Sequence, residues 1–235
     1  LLRTTGIPES ALAERLGHVE PEIAPVSLAY LPGLEGVDLR LSAWDLAGAD
    51  ADRLLRAAAD LIRGRAGEHV YGEGVRDLAE LVLEAARSKG LQLAVAESCT
   101  GGLVGTRLTE IPGSSDVFVG GVIAYDNAVK RDVLDVPAAV LEQHGAVSEP
   151  AARAMVDGLT RRFQVPAAVS VTGIAGPGGG SEAKPVGTVW ISCLVHGAGS
   201  TRRFLFPGTR HEIRARAAQA ALHLLLRQIN AGSGA

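Results

Sequence analysis

The sequence is short of basic charge. Its 23 Lys and Arg are outnumbered by 26 Asp and Glu, for a net charge of −3 with histidine neutral. A protein that grips nucleic acid through its phosphates carries the opposite balance. The chain also lacks any apolar run approaching the roughly 20 residues that cross a bilayer. It has no basic-then-apolar leader. No membrane anchor and no secretion are expected, and a cytoplasmic location is. Cysteine is scarce: Cys99 and Cys193 lie far apart and are expected as two free thiols. There is no CxxC, and His18, His69, His144, His196, His211 and His223 form no metal-spaced pair. No metal or other cofactor is therefore expected. No internal repeat is present. The chain opens Leu1-Leu2-Arg3 without an initiator Met, the expectation for a piece of a longer protein whose upstream chemistry lies elsewhere.

What is present is an ordinary globular composition. The 235 residues are 47% hydrophobic and 21% charged, enough for one large domain or two smaller ones. Residues 1–71 read as a small α+β unit. A short helix over 10–16 precedes strands over 26–31 and 37–42. The second strand alternates Val37, Leu39 and Leu41 with Asp38, Arg40 and Ser42, a period of two. A helix over 50–63 follows, with Leu54, Leu55, Ala58, Leu61 and Ile62 at helical spacing. This unit holds eleven acidic side chains against seven basic ones, a poor match to a phosphate backbone. Gly64-Arg65-Ala66-Gly67 has the GXXG spacing of RNA-binding KH modules, but it lies behind a helix, where a C-cap explains it better. Gly72-Glu73-Gly74 is expected to link this unit to a second domain, 72–235.

There the pattern changes to alternating helices and strands. A helical face runs from Val75 to Ala86 and closes on Arg87, Lys89 and Gly90. A short apolar strand over 91–96 follows, then a helix over 103–109 and a strand over 117–125. Helices over 127–134 and 138–144 break at Pro137. Ser148 opens a stronger helix through Phe163. A strand over 167–172 comes next, then a hairpin of 187–195 with 202–206 across residues 196–200. Thr209 and Glu212 form a capping box at the head of the last helix, and the tail 231–235 is expected to fray. Short buried strands alternating with amphipathic helices imply an α/β fold, a mostly parallel sheet with helices on both faces. In such folds ligands bind beyond the carboxyl ends of the strands. That rule selects the turns after Ala96 and Thr172 and, less directly, the stretch after Tyr125.

Three segments there can carry chemistry. Glu97-Ser98-Cys99-Thr100-Gly101-Gly102 enters a helix, whose free N–H groups suit a phosphate or a carbonyl oxygen; the same composition also makes a tight βα turn. Thr172-Gly173-Ile174-Ala175-Gly176-Pro177-Gly178-Gly179-Gly180-Ser181 has the same placement without the dinucleotide fingerprint, and reads as ligand binding or as a surface loop. Ser114, Ser115, Tyr125 and Lys130 offer a serine nucleophile, a lysine base of lowered pKa and a tyrosine relay. They fit equally a cap and a solvated lysine. The strand between Ser115 and Tyr125 means the fold has to bring them together. Cys99 is a rival nucleophile at a helix start, or a small buried residue.

AESCTGG (96–102), GSSDVFVGGVIAYDNAVK (113–130), EQHGAVSEP (142–150) and SVTGIAGPGGGSEAKPVGTVW (170–190) resemble, in the same order, the C-terminal domain of the CinA family of competence/damage-inducible proteins. Stand-alone bacterial nicotinamide-nucleotide amidases share that domain. The resemblance covers about residues 73–230, and residues 1–71 resemble the KH-like region that precedes it. The family's N-terminal nucleotide-pyrophosphatase-like domain has no counterpart in these residues. The resemblance implies hydrolysis of nicotinamide mononucleotide to nicotinic acid mononucleotide and ammonia without a metal, in pyridine nucleotide recycling. It implies Ser115 as nucleophile, Lys130 as its base and Tyr125 as helper. Ser98 and Thr172 would touch substrate, with Thr100, Gly101 and Gly173 in the adjoining turns. Arg210 is assigned to the phosphate, with Arg202 and Arg203 as alternatives. A homodimer or higher homo-oligomer is expected from the stand-alone relatives. The alternative is a non-catalytic nucleotide-binding module of a larger CinA protein.

Overall fold

The computed structural model describes residues 1–231, and the tail 232–235, part of the segment expected to fray, lies outside them. The chain forms two compact units that divide after Asp77.

The first unit is a four-stranded antiparallel sheet with helices packed on it. It runs β1 (Leu2–Thr4), α1 (Glu9–Leu16), α2 (Glu20–Ile23), β2 (Ser27–Pro32), β3 (Val37–Ser42), α3 (Gly48–Ala66) and β4 (Val70–Glu73). The strand order is β2-β3-β1-β4. Leu12 and Leu16 of α1 and Ile62 of α3 join Leu2 and Leu39 of the sheet in one buried core. Two strands are missing from the expectation, β1 and β4, and they pair with each other through Leu2 and Glu73. Gly72 and Glu73 are thus sheet residues rather than linker. The last glycine of the GXXG segment, Gly67, is the C-cap of α3, with positive φ and its N–H on the Arg63 carbonyl.

The second unit is a five-stranded sheet between two helix layers. Its elements are α4 (Leu78–Ser88), β5 (Leu93–Glu97), α5 (Leu103–Thr109), a 3-10 turn (Ser114–Asp116), β6 (Phe118–Ile123), α6 (Asn127–Leu134), α7 (Ala138–His144), α8 (Glu149–Phe163), β7 (Ala167–Gly173), β8 (Thr188–Val195), β9 (Ala198–Leu205) and α9 (Arg210–Ala231). The order is β6-β5-β7-β8-β9. β5 runs parallel to both β6 and β7, and the β7–β8 and β8–β9 pairings are antiparallel. The helix α4 begins at Leu78, and Val75, expected on its apolar face, is exposed. The hairpin is tighter than expected. His196 and Gly197 alone join β8 to β9, both with positive φ, the mirror-image turn that suits twisted strands.

The two faces of the sheet have different layers. Helices α4, α5 and α9 cover one face, and α8 covers the other with α6 and α7 against it. Side chains alternate along each strand, so Ala94, Ala96 and Ala168 meet Met155, Val156 and Leu159 of α8. Gly158 lets α6 approach α8 closely: a Cβ there would stand 1.7 Å from the Leu134 carbonyl oxygen. That contact seats α6, which carries Lys130. Among the described residues, no helix is long and apolar enough to cross a membrane.

Candidate functional site

The site lies at the carboxyl ends of β5, β6 and β7, where three parallel strands release their chains into turns. Ser98 is the first residue after β5, and its N–H bonds the Val171 carbonyl of β7. The residue is 8% exposed, so it borders the surface. Lys130 is the fourth residue of α6. Helical side chains lean toward their own N-terminus, so this lysine reaches back to the residues just before the helix. Its Nζ donates to the carbonyls of Ala124 at 2.7 Å and Tyr125 at 3.2 Å, and stands 3.2 Å from Ser98 Oγ. The lysine is 1% exposed. Burial pulls its pKa below the ordinary lysine value, with Asp126 and Cys99 opposing that shift. Asp126 caps α6, accepting from the Ala128 N–H, and so fixes the helix turn that holds Lys130.

The turn after β5 is not an open anion cradle. The Glu97 carboxylate accepts from the backbone N–H groups of Gly102, Val104 and Gly105 at 2.8–3.1 Å. The chain's own carboxylate thereby occupies the start of α5, where free N–H groups and the helix dipole favour negative charge. Gly101 and Gly102 both have positive φ, which the tight turn around that carboxylate requires. Thr100 is fully buried, and among the described residues its hydroxyl has no hydrogen-bond partner. Cys99 is buried as well, and desolvation pushes its thiol up to about 12. A thiol so poised stays protonated at neutral pH and is a poor nucleophile.

The second turn is held from outside. The Thr172 hydroxyl donates to the Ala146 carbonyl at 2.8 Å. Gly173 is a packing glycine: a Cβ there would lie 2.7 Å from the Val189 side chain and 3.0 Å from Cys99 Sγ. Beyond it, residues 177–183 are exposed. Lys184 ties the loop's far end to the His144 carbonyl at 2.7 Å.

Arg210, at the head of α9, spans the opening. It donates to the Gly176 carbonyl and to the Tyr125 hydroxyl, each at 2.8 Å. One helical turn on, Arg214 donates to the Thr100 carbonyl at 3.3 and 2.7 Å. The structure thus gathers Ser98, Thr100, Gly101, Tyr125, Lys130, Thr172, Gly173 and Arg210 around one group of strand ends. Glu97 and Arg214 join them and were missed as site residues. Spacing was the available signal for Arg214, four residues after Arg210 on the same helix face.

Ser115 is the exception. It sits exposed in the Ser114–Asp116 turn that leads into β6, whereas Lys130 Nζ meets the residues that follow β6. The strand rises about 3.3 Å per residue, so the two ends stand roughly 20 Å apart. Within one chain the fold does not bring Ser115 to Lys130; the serine beside the lysine is Ser98. Arg202 and Arg203 lie on β9, at the far edge of the sheet from β6. Among the described residues, no group of three or more His, Cys, Asp or Glu side chains is placed to hold a metal ion.

The chain is similar to known proteins over both of its units. The family model for the CinA C-terminal domain matches residues 75–229, and that for the damage-inducible protein CinA KH domain matches residues 1–72. A CinA-like protein from Gemmatimonas aurantiaca is 54% identical over 96% of this chain and 53% of its own length. A second, from Chlorobaculum tepidum, is 43% identical over 95% of this chain and 54% of its own length. The chain therefore spans about half the length of the curated relatives it matches. Among solved structures, the competence/damage-inducible protein CihA from Agrobacterium tumefaciens aligns with a TM-score of 0.63 at 39% identity, covering 68% of this chain and 99% of that one. A CinA superfamily protein from Klebsiella pneumoniae aligns with a TM-score of 0.62 at 32% identity, over 66% of this chain and 99% of its own.

Proposed function

We propose that this chain, which belongs to the CinA family, is a serine–lysine amidase that hydrolyses the carboxamide of nicotinamide mononucleotide. The observation that carries the proposal is the set of acceptors around Lys130 Nζ. A neutral primary amine has two hydrogens and one lone pair, whereas an ammonium has three hydrogens and none. The carbonyls of Ala124 and Tyr125 account for two hydrogens. The third direction faces Ser98 Oγ, and burial favours the neutral form. In that form the Ser98 hydroxyl donates to the lone pair and the amine is a general base for it.

The steps follow from this geometry. The Ser98 proton passes to Lys130 as Oγ bonds to the carboxamide carbon. The tetrahedral intermediate collapses as the lysine ammonium gives that proton to the departing nitrogen, which leaves as ammonia. Water, deprotonated by the same amine, attacks the acyl ester. Nicotinic acid mononucleotide departs and Ser98 regains its proton. Arg210 would meet the phosphate, exchanging its contacts with Tyr125 and Gly176. The nucleophile is accordingly Ser98, in place of the Ser115 that the family resemblance implies.

The test is ammonia release from nicotinamide mononucleotide by variants whose circular dichroism matches the parent. Ser98→Ala and Lys130→Met are expected to abolish it, and Cys99→Ala to keep it. Retained activity in Ser98→Ala, with loss in Ser115→Ala, would return the nucleophile to Ser115.

A further inference from the structure

Two arginines one helical turn apart on α9 face the candidate site, and among the described residues neither has a carboxylate partner. Arg210 spans the mouth. Arg214 is aimed elsewhere: its Nε and Nη2 both donate to the carbonyl oxygen of Thr100, at 3.3 and 2.7 Å. Gly101 lets the guanidinium lie against the backbone, since a Cβ there would stand 3.4 Å from Nη2. The same peptide unit is held at its other end, where the Gly101 N–H donates to the Ser98 carbonyl at 3.1 Å. One peptide therefore joins the arginine to the backbone of the serine whose Oγ stands 3.2 Å from Lys130 Nζ.

The direction of that peptide needs a device to set it. Glu97 holds the N–H groups of Gly102, Val104 and Gly105, all beyond it. The Leu103 N–H reaches the Thr100 carbonyl only at 3.4 Å, outside the usual range of a strong bond. Gly101 has φ +60°. Turning the peptide over by half a rotation takes that angle to about −120°, which glycine adopts as readily. The turned peptide carries the Gly101 N–H off the Ser98 carbonyl. A guanidinium on the Thr100 oxygen opposes this. A hydrogen bond from a charged donor is roughly twice as strong as one from a neutral donor. It also polarises the peptide, so that the N–H at the far end holds Ser98 more firmly.

We propose that Arg214 is a positioning residue for Ser98: it locks the Thr100–Gly101 peptide in the orientation that closes the turn from Ser98 to Gly101, and so sets the Ser98 hydroxyl toward Lys130. The head of α9 then does two things with two like charges. Arg210 is left to a ligand at the mouth, and Arg214 acts on the turn behind it. The lock stands on backbone geometry alone; its effect on turnover rests on the amidase reading above.

Amide hydrogen exchange, followed by NMR on the 235-residue chain, reads the lock without turnover. Arg214→Met, which keeps an apolar stem, is expected to speed exchange at the Gly101 N–H about tenfold, the loss of one charged hydrogen bond. The Val104 and Gly105 N–H groups, held by Glu97, should keep parental rates. Ammonia release reads the consequence. Arg214→Met is expected to lower kcat about tenfold with KM for nicotinamide mononucleotide unchanged, as a misdirected reacting group does. Arg214→Lys, a point charge without the planar fork, should recover part of both. Should Arg214→Met not fold, Arg214→Lys carries the same test, with each change about threefold. Parental exchange at Gly101 overturns the lock. Faster exchange with parental kcat in an active chain overturns its link to Ser98. A raised KM at parental kcat makes Arg214 a second phosphate contact and overturns the positioning role. If the parent releases no ammonia, the amidase reading fails, and exchange alone still decides the lock.

Discussion

The turn after β5 and the loop after β7 both leave a buried parallel strand and both are rich in glycine, yet they are held by opposite means. The first is tied from within: Glu97 accepts three backbone N–H groups of the turn and helix that follow it. The second is tied from outside, by Arg210 on the Gly176 carbonyl and Lys184 on the His144 carbonyl. A turn that carries its own counter-charge stays fixed whether or not a ligand is present, which suits the nucleophile role proposed for Ser98. A loop held by arginine and lysine side chains has cations to offer an anionic ligand, which suits substrate capture.

That contrast can be broken from either side. The largest effect is expected at the rigid turn's chemistry. Lys130→Met should lower kcat by about a thousandfold, and pairing it with Ser98→Ala should cost little more, because the two act as one unit. In the parent, kcat/KM should rise with pH on a limb whose midpoint lies below 10.5, and Lys130→Met should lack that limb. The same shift has a stability sign. The unfolded lysine keeps its proton to higher pH than the native one, so stability rises with pH between the two values. Chemical denaturation across that range should show the rise in the parent and not in Lys130→Met.

Next in size is the counter-charge itself. Glu97→Ala leaves three N–H groups without their acceptor in a buried place, and should cost about 3 kcal/mol in urea denaturation. Equal stability of Glu97→Ala and the parent would mean the turn is not held from within. On the outer loop the expected change is in binding. Arg210→Ala should raise KM for nicotinamide mononucleotide about tenfold while kcat changes less. The smallest effect is expected at Gly178, where a Cβ would meet nothing within 4 Å. Gly178→Ala should move stability by less than about 0.5 kcal/mol. A larger loss there would make the outer loop as tightly determined as the inner one.

Much of this molecule was legible in its residues, for local reasons. The helices α6, α7 and α8 are bounded by Asp126, Pro137 and Ser148, whose capping and ring chemistry acts within a turn. The capping box of α9 is present as read, with Glu212 accepting from the Thr209 N–H and hydroxyl. What could not be read depended on distant partners. Leu2–Thr4 and Val70–Glu73 are too short to show a period, and they become strands because each supplies the other's hydrogen bonds. The meeting of Ser98 with Lys130 is a property of two parallel strands ending level. Nothing within either segment records it. The role of Glu97 depends on the turn folding back over its carboxylate, so that the chain itself supplies the anion at its glycine turn.

The His196-Gly197 corner offers a practical opening. Val195 faces Ala167 in the sheet, so this corner lies beside the start of β7, the end of the strand remote from Thr172 and the candidate site. Both residues are exposed, and outside its own hairpin the corner is tied by the His196 N–H on the Pro166 carbonyl. A fluorophore or an epitope grafted there would tag the protein and report its unfolding while leaving the residues at the opposite rim untouched.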